Sequence, residues 1–294
     1  MIYDIRHVTT YAYAAPVPFA HHGLHLLPVD RPGLRVLKAD IRIEPRVTER
    51  RDGRDFFGNG FSIVAIDEPH DRLVVTLTAR VERNPPPASL LERAGDLAEV
   101  REDAAASLDL SAASPVHFLF ASRRVPLDPQ IRAYAAESFP PGLPVAEGAL
   151  HLARRIKRDF VYEPGATDAD TPPAVSFAMR RGVCQDFAHV MIAGLRGLGL
   201  PVAYVGGYLR TVPPPGRPRL QGADATHAWV SVWCGEAAGW VGVDPTNGVA
   251  AGADHIELAI GRDYADVAPI EGVILTSGAQ QLGVAVDVIP LTAI

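Results

Sequence analysis

Two cysteines occur in the 294 residues, and one of them, Cys184, follows Gly182 and Val183 at the start of an apolar repeat. Phe187, Val190, Met191, Leu195 and Leu198 recur at helical spacing, and Gly199 supplies a stop. A thiol on the first turn of that helix meets backbone N–H groups that lack intrahelical partners. Together with the helix dipole they stabilise a thiolate. Such a sulfur becomes a useful nucleophile at neutral pH when an imidazole stands beside it. His227 is the candidate, opening a strand-like segment after the polar run Asp224, Ala225 and Thr226. Asp244 closes the next strand-like segment, held by Pro245. A carboxylate there could accept the imidazole N–H, fix its tautomer and favour the charged ring.

The elements that must position these groups can be read coarsely. Residues 184–198 read as a helix, and 202–209, 227–234 and 240–244 as strands, the last two joined by the short Gly-bounded turn 235–239. His227 shares a strand face with Trp229, Ser231 and Trp233. Asp244 joins that face in only one pairing register, because a slip of one residue turns it away. Upstream, 2–13, 35–45, 61–67 and 72–81 are rich in β-branched and aromatic residues and are separated by turn formers. Leu73, Val75 and Leu77 alternate as in a half-buried strand.

Pro85-Pro86-Pro87 reads as a stiff linker, and Ser89 with Glu92 as a capping box for a helix running toward Ala106. Asp128-Pro129 and Thr171-Pro172 mark further helix starts, and 150–160 is helix-like. The proline-rich stretch 213–222 reads as a surface loop, and 283–290 as a strand that could return to the N-terminal sheet. The expected organisation is a β-rich domain over 1–84, a helical linker region over 85–145, and a core with C-terminal strands over 146–294.

Composition narrows the function. The net charge of −6 and the flanking of each basic cluster by acids argue against nucleic acid as a partner. No apolar run is long enough to span a bilayer, so no membrane partner is expected. The opening MIYDIRHVTTYAY reads as a strand rather than a secretory signal, and with only two cysteines a cytoplasmic location is expected. Serine-hydrolase, zinc-protease, P-loop and dinucleotide fingerprints are missing from the sequence.

Other reactive side chains have plainer readings. Cys234 ends a strand on the face opposite His227 and reads as core. His189 reads as packing or bonding within the Cys184 helix. His21, His22 and His25 cluster without a nearby carboxylate or cysteine in the sequence, so they read as a polar strand or loop, and no metal is expected. Gly206-Gly207 reads as a bulge or a close backbone approach.

Residues 181–209, RGVCQDFAHVMIAGLRGLGLPVAYVGGYL, resemble the cysteine-helix-strand segment of bacterial transglutaminase-like proteins. THAWVSVW (226–233) is similar to their histidine strand and GWVGVDPTNG (239–248) to their aspartate strand. FVYEPGATDADTP (160–172) resembles the segment ahead of the nucleophile. IRHVTTYAYAAPV, DFFGN (55–59) and GRDYADVAP (261–269) resemble the N-terminal region and C-terminal motif of one bacterial branch, the cysteine-protease type.

The resemblance implies an α+β fold: a papain/transglutaminase-like core, with the nucleophile helix packed on an antiparallel sheet, behind an N-terminal β-sandwich-like domain. It implies Cys184, His227 and Asp244 as a catalytic triad working through a thioester, with no cofactor. A second oxyanion donor beside the Cys184 N–H is expected, and Tyr162 and Gln185 are the candidates. Three functions stay open: hydrolysis of a peptide or amide bond in a peptide or protein substrate, transfer of the acyl group to an amine, or binding without catalysis.

Overall fold

In the computed structural model, residues 1–85, 87–211, 222, 224–276 and 278–291 are described. The expected surface loop 213–222 falls outside them, apart from Gly222.

Period-two alternation builds the N-terminal part. Along the Ile2–Val17 strand, Tyr3, Ile5, His7, Thr9, Tyr13 and Val17 turn inward. Along His70–Arg83, Leu73, Val75, Leu77, Ala79 and Val81 do the same. These two strands form the centre of a four-stranded antiparallel sheet, with Gln280–Leu291 on one edge and Leu34–Glu44 on the other. A second four-stranded sheet runs in the order Ile270–Ile274, Ala20–Leu24, Gly60–Ile66 and Glu49–Arg54. Side chains of both sheets share one hydrophobic core. The last two strands of the chain therefore belong to this N-terminal unit by hydrogen bonding.

Two of its strands carry no sequence signal. Glu49–Arg54 is exposed throughout, so nothing alternates, and Ala20–Leu24 is mostly small residues and histidine.

The second unit is a five-stranded antiparallel sheet in the order Val249–Ala250, Trp240–Asp244, Ala225–Trp233, Val202–Leu209 and His255–Gly261. The Cys184–Gly197 helix packs on the middle strand Ala225–Trp233 and on its neighbour Val202–Leu209, its buried face running from Phe187 to Leu195. The region 85–145 contributes Val100, Ala104, Val125, Ile131, Tyr134 and Phe139 to this same core.

Helix starts differ in detail from the sequence reading. Ala88–Arg93 makes only a 3-10 turn. The capping box sits at Asp96 and Glu99, which open Leu97–Ala106 after the Gly95 N–H has bonded the Cys234 carbonyl. The helix after Thr171 begins at Pro173, because the Thr171 hydroxyl donates to Asp168 Oδ1 at 2.8 Å rather than capping. Pro129–Ala136 starts with Asp128 accepting from the Gln130 and Ile131 N–H groups.

The two units interlock along the edge strand His255–Gly261. Tyr208, Ile256 and Leu258 are buried in the N-terminal core, and Tyr208 Oη bonds His7 Nδ1 at 2.9 Å. Asn59, the last residue of DFFGN, donates to the Ile260 carbonyl and accepts its N–H, both at 2.8 Å.

Candidate active site

The pairing register decides where Asp244 points. Val230 faces Val243 and Ser231 faces Gly242, so continuing the ladder one step sets Asp244 across from Trp229, on the face that carries His227. There His227 Nε2 donates to Asp244 Oδ2 at 2.9 Å. This leaves Nδ1 unused by Asp244, and the Cys184 thiol lies close enough to the ring to act on its charge. The three candidate residues are thus brought to one place, with His227 bonded to Asp244 and within electrostatic reach of Cys184.

Asp244 is fully buried, and its two oxygens divide their work. Oδ1 accepts the backbone N–H groups of Thr246 (2.9 Å) and Asn247 (3.1 Å), the Asx turn written into DPTNG. Oδ2 accepts three side-chain donors: His227 Nε2, Asn247 Nδ2 at 2.7 Å and His255 Nε2 at 3.0 Å. Burial opposes ionisation, but these donors and the His227 charge outweigh it and hold the carboxyl well below the usual carboxylate range. For His227, burial works against the charged ring. The Asp244 and Cys184 contacts reverse that and raise its pKa to about 9.

Cys184 is partly exposed at the first position of its helix. The first i→i−4 bond runs from Phe187 N to Val183 O, so the Cys184 N–H lies ahead of the ladder. The turn before it is held by Asp186, whose Oδ2 accepts the Val183 N–H at 2.8 Å and the Thr167 hydroxyl at 2.7 Å. Gly182 makes this possible: its φ is +153°, and a Cβ there would sit 2.5 Å from Asp186 Oδ2.

Of the two oxyanion candidates, Tyr162 pairs beside Gly182 in a short parallel bridge, is half exposed, and lies within electrostatic reach of Cys184. Gln185 instead donates its amide N–H to the Ala169 carbonyl at 3.1 Å. His189 bonds outside its own helix: Nε2 accepts the Tyr264 N–H at 3.2 Å, tying the Cys184 helix to GRDYADVAP. Burial lowers the His189 pKa to about 4, which suits an acceptor. Cys234 is buried, and its thiol is pushed up to about 12. Of the N-terminal histidines, His25 bonds the Ala268 carbonyl and stands 3.5 Å from Asp55, a partner the sequence spacing hides. His22 is buried and His21 exposed.

His255 and Asn247 are the residues that sequence reasoning missed. Asn247 was legible as the fourth residue of an Asp-initiated turn. His255 was not: it is a lone histidine at the start of an apolar strand, and only the antiparallel pairing of that strand with 202–209 brings it to Asp244.

His227, Asp244 and His255 together form the one His/Asp group among the described residues with spacing suited to a metal ion. The hydrogen bonds fit a different use. His255 Nδ1 accepts the Gly252 N–H at 3.2 Å, so the ring proton sits on Nε2, the atom a metal would need bare. The Asn247 amide donor also occupies Asp244 Oδ2.

Comparison with known proteins bears on the whole chain. Residues 3–82 match the family model of the bacterial transglutaminase-like N-terminal region, and residues 132–245 that of the transglutaminase-like superfamily. An uncharacterized protein of Mycobacterium tuberculosis is 38% identical over 98% of this chain and 92% of its own length. The chain belongs to the transglutaminase-like superfamily. An uncharacterized Mycobacterium leprae protein is 29% identical over 97% of both chains. The solved "Putative Cysteine Protease from Cytophaga hutchinsonii" superposes with a TM-score of 0.76 at 22% identity, covering 100% of this chain and 92% of that one. The fold is thus transglutaminase-like and α+β, with a strand-rich N-terminal region. The superfamily match includes Cys184, His227 and Asp244, whereas His255 lies beyond it. Among the described residues, no helix of this transglutaminase-like chain is long and apolar enough to cross a membrane.

Proposed function

We propose that this transglutaminase-like protein is a cysteine-dependent hydrolase of peptide or amide bonds in peptide or protein substrates, using Cys184, His227 and Asp244 in a papain-like arrangement. The observation that carries the reading is the His227 ring. Its Nε2 is bonded to Asp244 at 2.9 Å, the Cys184 thiol lies close enough to act on its charge, and the two partners raise it to about 9. That environment favours transfer of the thiol proton to Nδ1, leaving a thiolate beside an imidazolium.

The thiolate then attacks the amide carbon. A C–S bond forms, and the carbonyl electron pair moves to oxygen near the Cys184 N–H, with Tyr162 as the second donor we propose. Collapse breaks the C–N bond, and the amine leaves with the proton from His227 Nδ1. Water attacks the thioester, returns a proton to Nδ1, and the thiolate departs as the acid is released. An amine in place of water would give transamidation by the same residues. Hydrolysis asks for no acceptor pocket, which makes it the simpler reading.

Intact-mass spectrometry after brief, limiting iodoacetamide at neutral pH tests the pair. Rapid single labelling at Cys184 that slows in His227→Ala is expected. Equal, slow labelling in both proteins would overturn the triad and favour a binding role. Turnover of peptide amides with and without an added amine then separates hydrolysis from transfer, with Cys184→Ala as the inactive control.

A further inference from the structure

Asp244 Oδ2 faces two imidazoles, yet the triad uses only one of them. The second, His255, is 5% exposed and stands on the edge strand that the N-terminal sandwich grips. Its tautomer is set locally. Nδ1 accepts the Gly252 N–H, so Nε2 carries the proton and can only donate to Asp244. Its ring is packed edge-on to Trp229 at 5.3 Å between centroids, and Trp229 in turn stacks on His227 at 6.1 Å. Its backbone is held from the other unit: Arg83, 3% exposed at the end of a sandwich strand, donates Nε to the His255 carbonyl at 3.0 Å and Nη1 to the Gly33 carbonyl at 3.1 Å. The neighbouring charges have other partners, Asp254 with Arg210 at 3.1 Å and Glu257 with Arg83 at 3.8 Å.

We propose that His255 is a positioning residue for the triad, aiming the Asp244 carboxylate at His227, and that the N-terminal sandwich holds His255 in register through Arg83. This rests on the Cys184–His227–Asp244 reading. A carboxylate with one backbone-bonded oxygen can still tilt about its Cα–Cβ bond, and Asn247 constrains it from the turn side alone. The His255 N–H approaches from another strand and removes that freedom, as outer-shell partners do for other buried ligands. The arrangement also gives the sandwich a part in the chemistry: it locks the strand that carries the aiming group.

The test uses two substitutions that keep the fold and separate the two ring nitrogens. His255→Asn places an amide oxygen where Nδ1 accepts the Gly252 N–H but cannot reach Asp244. His255→Gln extends an N–H to the Nε2 position. Alkylation rates of Cys184 by iodoacetamide are measured from pH 4 to 9 on the full chain, with thermal unfolding as a fold check and His227→Ala alongside. In His255→Asn the rate is expected to fall about 10-fold across the profile. His255→Gln is expected to stay within about 3-fold of wild type. If His255→Asn overlays the wild-type profile while His227→Ala is slowed, the triad stands and the positioning role falls. The role falls equally if folded His255→Gln is as slow as His255→Asn. If His227→Ala itself matches wild type, the triad reading fails and takes this inference with it.

Discussion

Asp186 Oδ2 accepts the Val183 N–H at 2.8 Å, and this one bond shapes the turn that delivers Cys184 to the first position of its helix. Burial raises the Asp186 pKa, and the Val183 and Thr167 donors offset only part of the effect. Asp186→Ala removes a helix-start acceptor, leaves the Thr167 hydroxyl without this bond, and frees Gly182. We expect a loss of about 1 kcal/mol in stability and slower alkylation of Cys184. Asp186→Asn, which retains an acceptor oxygen, is expected to lose less of both. Urea unfolding and timed labelling measure the two effects on the same samples.

Stability should form a dome in pH, with its two sides set by different histidines. His227 is raised to about 9 in the fold against 6.5 when unfolded, so between those values the native state holds a proton that the unfolded chain has released. Its contribution is therefore complete below pH 6.5 and is lost as pH rises through about 9. His7 and His189 are both lowered to about 4 by burial. Between 6.5 and 4 the unfolded chain takes up protons that the native chain refuses, so stability falls as pH falls through that window. Asp244, held low by its donors, adds to the loss at still lower pH. Thermal unfolding from pH 4 to 9.5 should peak near 6.5, and a melting temperature that keeps rising to pH 9 would contradict the His227 assignment.

Two adjacent glycines give a sharp contrast at the back of the site. A Cβ on Gly207 would press on the Ile256 carbonyl oxygen and come within 2.7 Å of the Trp229 ring. On Gly206 the nearest atom, from Val267, would be 3.7 Å away. Gly207→Ala must therefore move either the strand that carries His255 or the indole that stacks on His227. We expect it to cost roughly 1–3 kcal/mol and to slow Cys184 labelling. Gly206→Ala should leave both unchanged, and equal behaviour of the two variants in paired measurements would argue against this packing.

The legible part of the molecule was the part whose signal is local. Phe187, Val190, Met191 and Leu195 announce the Cys184 helix by their spacing, and they are the residues that pack it onto the sheet. Leu73, Val75 and Leu77 announce a strand by alternating, and all three are buried. What stayed hidden depends on pairing across long separations. The face of Asp244 followed only from the Val230–Val243 register, the partnership of His255 only from a strand crossing to Val202–Leu209, and that of Asp55 with His25 only from the fold of the sandwich. Glu49–Arg54 was hidden for another reason: a fully exposed edge strand has no buried face to write into its sequence.

Asn59 offers the last test, because an isosteric change reverses the sign of its contacts. It is fully buried, and its amide N–H groups donate to Asp55 Oδ2 at 2.7 Å and to the Ile260 carbonyl at 2.8 Å. Its oxygen accepts the Ile260 N–H at 2.8 Å and a bond from Arg31 at 2.5 Å. In Asn59→Asp the oxygen keeps both of its donors, but the other atom can no longer donate. A second carboxylate then faces both Asp55 and a buried carbonyl. We expect a loss of roughly 3 kcal/mol or more at pH 7, from an unpaired buried acceptor and a like-charge pair. The new carboxyl should bind its proton more tightly in the fold than in the unfolded chain. The penalty should therefore grow as pH rises through the ordinary carboxylate range and shrink on return to pH 4. Urea midpoints of both proteins at pH 7 and pH 4 measure this directly. A penalty that is the same at both values would mean that Asn59 serves by shape alone, and that its donors are not what fastens DFFGN to the His255 strand.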